Sequence, residues 1–167
     1  SGQPFIIGDA EPVARRHLPR IALFQNELDL PLRFTVEATV NSSINPLASG
    51  CSRLGQRGLQ TNGVLVFDYQ NDRNFKFAGF DARRNLWLIG GKLRNRFYVH
   101  DRLREPIHPN QSFDLQLNVE DTRVDLLANG DLKVSHSFMA FDKTKPIGIG
   151  TLIPRPTDFT DITISEY

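Results

Sequence analysis

The sequence predicts an all-β protein, a two-sheet antiparallel β-sandwich of roughly ten to twelve strands. Three observations carry that expectation. Residues Asn62 to Gly91 hold three short apolar runs, Val64 to Phe67, Phe75 to Phe80 and Leu86 to Ile89, parted by polar clusters at Asp68 to Asn74 and Asp81 to Asn85. This is the pattern of a β-meander. Elsewhere apolar and polar residues alternate with period two, and Asn129-Gly130 stands between two such stretches. That dipeptide is a strong hairpin signal, because both central residues of a type I′ turn need positive φ. No long segment repeats apolar residues at helical spacing, and there is no repeat of fixed period.

Taken in order, Phe5 to Ile7 reads as a first edge strand and Ile21 to Phe24 as a second short strand. Leu32, Phe34, Val36, Ala38 and Val40 alternate with Arg33, Thr35, Glu37 and Thr39, the period of a strand with one wet face. Asn41 to Asn62 has no pattern and reads as a long loop, of the kind that is functional or mobile. After the meander, Gly90-Gly91 punctuates the chain and a new strand runs from Phe97 to Leu103, ended by Pro106 and Pro109. Phe113 to Val119 alternates again. Arg123 to Ala128 and Leu132 to Phe138 flank the hairpin turn, and Ile147 to Leu152 and Phe159 to Ile164 close the fold.

Length and composition allow one domain over residues 1–167, with Ser1-Gly2 read as a scar of tag removal. Twenty basic against 19 acidic side chains give a net charge of +1, so bulk charge favours neither nucleic acid nor a membrane surface. No run approaches the roughly 18 apolar residues of a membrane span. Cys51 is the single cysteine, which excludes an intrachain disulfide, and the four histidines share no short spacing, which argues against zinc.

The segments GVLVFDYQNDRNFKFAGFDARRNLWLIG, VDLLANGDLKVSHSF and PIGIGTLIPRPTDFTDITI resemble the laminin G-like and concanavalin A-like jelly rolls of large bacterial surface and exported proteins. The likeness spans about Leu32 to Ile164, and its first segment is the most specific part. It implies a carbohydrate-binding or adhesion module, covalently part of a longer chain, at the cell surface or outside the cell. It also implies a structural calcium ion where the terminal strands meet, with Asp161 and either Asp9 or Glu11 as acids and Gly63 as a carbonyl donor; hard oxygen ligands suit that ion. A lone acid such as Asp161 equally fits a solvated turn. The hydrolases of this superfamily set two acids one strand period apart, and Glu37 and Glu120-Asp121 do not supply such a pair.

The sharpest local feature is a row of one parity: Lys92, Arg94, Arg96, Tyr98, His100, Arg102 and Arg104. If the segment stays extended, all seven project to one side, a docking surface for an acidic polymer. Sulfated or uronate-bearing glycans rank first and a phosphate backbone second. Acids at Asp114 and Glu120 on the next strand could neutralise the row, and a bulge at Gly90-Gly91 or near Asn95 would break it. Trp87 and Tyr69 supply aromatic faces for a sugar, and the meander turns supply Asp68, Asn71, Asp72 and Arg83 for its hydroxyls. Core packing for Trp87 and ordinary turn chemistry for the others account for the same residues. The expected function is therefore non-catalytic recognition of a polysaccharide, with a concanavalin A-like glycoside hydrolase as the alternative and a ligand-free spacer as a third reading.

Overall fold

A computed structural model of the chain describes residues 20–24, 33–41, 62–82, 84–108, 111–152 and 157–166. They form eleven strands: β1 (Arg20–Leu23), β2 (Arg33–Asn41), β3 (Asn62–Asn71), β4 (Asn74–Asp81), β5 (Leu86–Leu93), β6 (Arg96–Arg104), β7 (Ser112–Glu120), β8 (Arg123–Ala128), β9 (Asp131–Ser137), β10 (Gly148–Thr151) and β11 (Asp158–Glu166). A six-stranded sheet has the order β1-β10-β3-β4-β5-β6 and a five-stranded sheet the order β11-β2-β7-β8-β9. Adjacent strands pair antiparallel throughout both sheets. The expected β-sandwich is thus the observed fold. The strand expected at Phe5 to Ile7 and the loop expected over most of Asn41 to Asn62 lie outside the described residues.

The core lies between the sheets, and strand alternation builds it. Phe34, Val36, Ala38 and Val40 of β2 face inward beside Phe113, Leu115, Leu117 and Val119 of β7. Their polar neighbours bond across the outer face, as in Thr35 Oγ1 to Asn118 Oδ1 at 2.9 Å and Thr39 Oγ1 to Asp114 Oδ1 at 2.9 Å. Phe80, Trp87 and Phe113 meet edge-on or tilted, with ring centroids 5.0 to 6.0 Å apart. Burying a side chain of that size stabilises the fold by about 1.5–3 kcal/mol.

The six-stranded sheet is apolar on both faces, which is why its meander reads as solid apolar runs. Leu65, Phe67, Ala78, Phe80, Trp87 and Ile89 face the other sheet, while Val64, Val66, Phe75, Phe77, Leu86 and Leu88 form a second buried cluster on the opposite face.

The Gly90-Gly91 boundary needs correction. Strand β5 runs through both glycines to Leu93, and the chain turns at Arg94-Asn95, where φ is 49° and 72°. Gly90 serves close approach instead: a Cβ there would overlap the Tyr98 carbonyl oxygen and come within 2.9 Å of the Phe77 ring. The β5–β6 ladder slips at this point, pairing Ile89 with Asp101 and Gly90 with Val99, so His100 is an extra, bulged residue.

Candidate functional site

The functional features gather at the end of the sandwich where the β3–β4 and β5–β6 hairpins turn. Asp72 and Arg73 make the first turn, fixed by the Arg73 N–H donating to Asn71 Oδ1 at 2.9 Å. Arg94 and Asn95 make the second, both with positive φ, a conformation that arginine rarely adopts. The two tips enclose a hollow of about 540 Å³ lined by Asn71, Arg73, Asn74, Leu93, Arg94 and Asn95. Its lining holds two guanidinium groups and three amides and no carboxylate. Neither arginine makes an ion pair with a described residue. Two planar donor forks over an acid-free hollow suit a carboxylate or sulfate.

A second hollow of about 600 Å³ adjoins the same hairpin, lined by Asp68, Gln70, Lys76, Asp121, Phe141 and Lys143 among others. The β3–β4 ladder slips after Phe67, and Asp68, at φ 47°, swings its carboxylate onto the Lys76 ammonium. That carboxylate is 3% exposed; Lys76 holds Oδ2, and Oδ1 is buried with no hydrogen-bond partner among the described residues. Lys76 Nζ also lies 5.2 Å from the centroid of the Phe138 ring and 6.0 Å from that of Phe141. A lining residue of each hollow meets the other, Asn74 Nδ2 donating to Gln70 Oε1 at 3.1 Å.

Behind Phe138 the sheets are latched by histidines. The His100 and His136 rings stack 4.8 Å apart at 16°, both edge-on to Phe138, and His136 Nδ1 sits 2.9 Å from Asp101 Oδ2. Burial of its ring, then the nearby His136 and Lys76, hold His100 below the usual histidine range. His100 is therefore neutral at pH 7.

No protein-family model matches the sequence, and no curated relative matches it. Solved structures do match. The carbohydrate binding module CBM66 from Bacillus subtilis superposes with a TM-score of 0.72 at 18% identity, over 91% of this chain and 84% of that one. A toad ovary galectin in complex with thio-digalactose gives 0.61 at 11% identity, over 89% and 98%. Sheep galectin-11 gives 0.59 at 10% identity, over the same shares. The fold is a jelly-roll β-sandwich. These neighbours carry the expectation of a jelly roll; the narrower laminin G-like likeness is not what they display.

Within this jelly roll, the residues read from the sequence fall into separate places. The row from Lys92 to Arg104 is not one surface, because the turn at Arg94-Asn95 and the bulge at His100 both break it. Arg94 lines the acid-free hollow. Arg96 and Tyr98 pair with Leu93 and Gly91, whereas Arg102 and Arg104 pair with Leu88 and Leu86 and so project from the opposite face. Lys92 is buried, its Nζ donating to the Asp72 carbonyl at 2.7 Å between the Phe75 and Phe97 rings, and burial lowers its pKa. Asp114 and Glu120 belong to the other sheet's outer face and do not neutralise β6. Trp87 is 5% exposed inside the core, so its ring has no free face for a sugar.

Asn71 lines the acid-free hollow and Asp68 the second one. Tyr69 stacks on Phe75 and donates its hydroxyl to Asp72. Burial first, then Asp72, pushes the Tyr69 pKa up to about 12. A raised phenol pKa contributes stability that is present below about pH 10 and is lost as pH rises through 12. One of the three tyrosines is thus expected to ionise near pH 12 by absorbance at 295 nm, and Tyr69→Phe should remove that step.

Arg83, Asp9 and Glu11 lie outside the described residues. Asp161 is an exposed carboxylate at φ 50° in a β11 irregularity. The Gly63 carbonyl lies close against Gly79 in the β3–β4 ladder. Calcium takes six to eight oxygens, and among the described residues no three His, Cys, Asp or Glu side chains converge. Sequence reasoning passed over Arg73, Lys76, His136 and Phe141: Lys76 and His136 gain their places through pairing across strands, and Phe141 through packing of the segment after β9 on Phe67. Arg73 alone had a local signal, its position in the turn beside Asp72.

Proposed function

We propose that this domain is a non-catalytic carbohydrate-recognition module, taking an acidic glycan at the tips of the β3–β4 and β5–β6 hairpins. The observation that carries the reading is the acid-free hollow with Arg73, Arg94 and three asparagine amides. A jelly roll shared with a carbohydrate binding module and galectins supports it. Glycosidic hydrolysis needs two carboxyls about 5–9.5 Å apart with separate roles. The acids of the neighbouring hollow are committed elsewhere: Asp68 to Lys76, Asp121 to Lys143 at 3.7 Å, and Asp142 to Thr144 Oγ1 at 2.6 Å. A spacer, for its part, has no use for two arginines that make no ion pair among the described residues. The expected setting outside the cell or on its surface belongs to the same proposal.

The test is retention on alginate resin at low salt. The wild type should bind, Arg73→Ala/Arg94→Ala should bind more than about tenfold more weakly, since charge-assisted hydrogen bonds contribute about 1.5–3 kcal/mol each, and Arg102→Ala/Arg104→Ala on the other face should change little. A wild type that flows through, or a tip variant that elutes at wild-type salt, defeats the reading.

A further inference from the structure

Resting on that reading, we infer that the hollow over Asp68 and Lys76 is a second subsite, for the hydroxyls of an uncharged part of the sugar chain. Together with the arginine hollow it makes one continuous site for a chain and not for a single sugar. The chemistry of the two hollows is complementary. With Asp68, Asp121 and Asp142 against Lys76 and Lys143, the second hollow favours an anion less than the arginine hollow does, so the acid group belongs at Arg73 and Arg94. A sugar hydroxyl both donates and accepts, which matches a carboxylate set beside an ammonium. Asp68 is held at positive φ with one oxygen buried and unpartnered, and buried acceptors take a donor where one can reach them. Phe141, half-buried in the same wall, offers an apolar surface to the C–H side of a pyranose.

Continuity follows from the hairpin. Gln70 lines one hollow and Asn74 the other, and their 3.1 Å hydrogen bond joins the two linings. A chain lying across that bond reaches Lys76 on one flank and Arg94 on the other.

The experiment is calorimetric titration of the wild type, Asp68→Asn and Arg73→Ala/Arg94→Ala with oligosaccharides that carry one uronate at one end followed by none to about five neutral hexoses, where added subsites show as affinity rising with length. Wild-type affinity should rise by tenfold or more between the shortest and longest probes. Asp68→Asn should keep the affinity for the shortest probe and lose most of that rise, while the double arginine variant should weaken binding at every length. If Asp68→Asn melts far below the wild type, Gln70→Ala, an exposed change at that hydrogen bond, replaces it with the same expectation. A folded Asp68→Asn or Gln70→Ala with the wild-type length dependence overturns the second subsite and leaves the carbohydrate reading standing. No binding of any oligomer by the wild type overturns both.

Discussion

Gly79→Ala is expected to destabilise the domain by about 3 kcal/mol or more, the upper end of overpacking effects. The added Cβ would overlap the Gly63 carbonyl oxygen and stand 2.7 Å from Val64 Cα. Those atoms are backbone in the middle of the β3–β4 ladder, where Gly79 pairs with Val64 and neither strand can retreat without breaking bonds on its other side to β10 or β5. At about 2–4 °C per kcal/mol for a domain of this size, the melting temperature should fall by roughly 10 °C. Gly91→Ala is the control. Its Cβ would meet nothing closer than 3.3 Å, so a loss much smaller than that of Gly79→Ala is expected. Thermal melts followed by far-UV circular dichroism measure both, and a Gly79→Ala protein that melts with the wild type sinks the argument.

The same ladder shows what the sequence could disclose. Strand existence was legible because burial on one face writes period two, as in β2 and β7, and burial on both faces writes the solid runs of β3, β4 and β5. The Asn129-Gly130 turn was legible because its chemistry is local, and both residues do have positive φ. Parity along β6 was not legible. A bulge is decided by what lies across the ladder, here the close passage of Gly90 under Tyr98, and one extra residue sends Arg102 to the face opposite Tyr98.

For the site, Asn71 and Asp68 were named from the sequence as residues of the meander turns and Arg94 as a member of the cation row, and all three line the two hollows. Their partners were out of reach. Lys76 sits among phenylalanines in a strand that reads as core, and only the slip after Phe67 brings Asp68 to it. His136 meets Asp101 across 35 residues of chain.

Lys76→Met is expected to cost about 3 kcal/mol at pH 7, the lower end of the penalty for removing one partner of a buried ion pair. Methionine keeps the apolar stem against Phe138 and Phe141, so the loss isolates the charge. It leaves the Asp68 carboxylate, 3% exposed, without the ammonium that holds Oδ2. Adding Asp68→Asn, which tolerates positive φ, removes that unpaired charge and should restore most of the deficit measured by urea unfolding at pH 7. A single variant as stable as the wild type at pH 7 would remove the basis for this. If the double variant matches or exceeds the wild type, the pair is not kept for folding. Replacing a buried ion pair by groups without charge is often neutral or stabilising, so a charged pair retained at the floor of an open hollow then points to the ligand as its reason for being there.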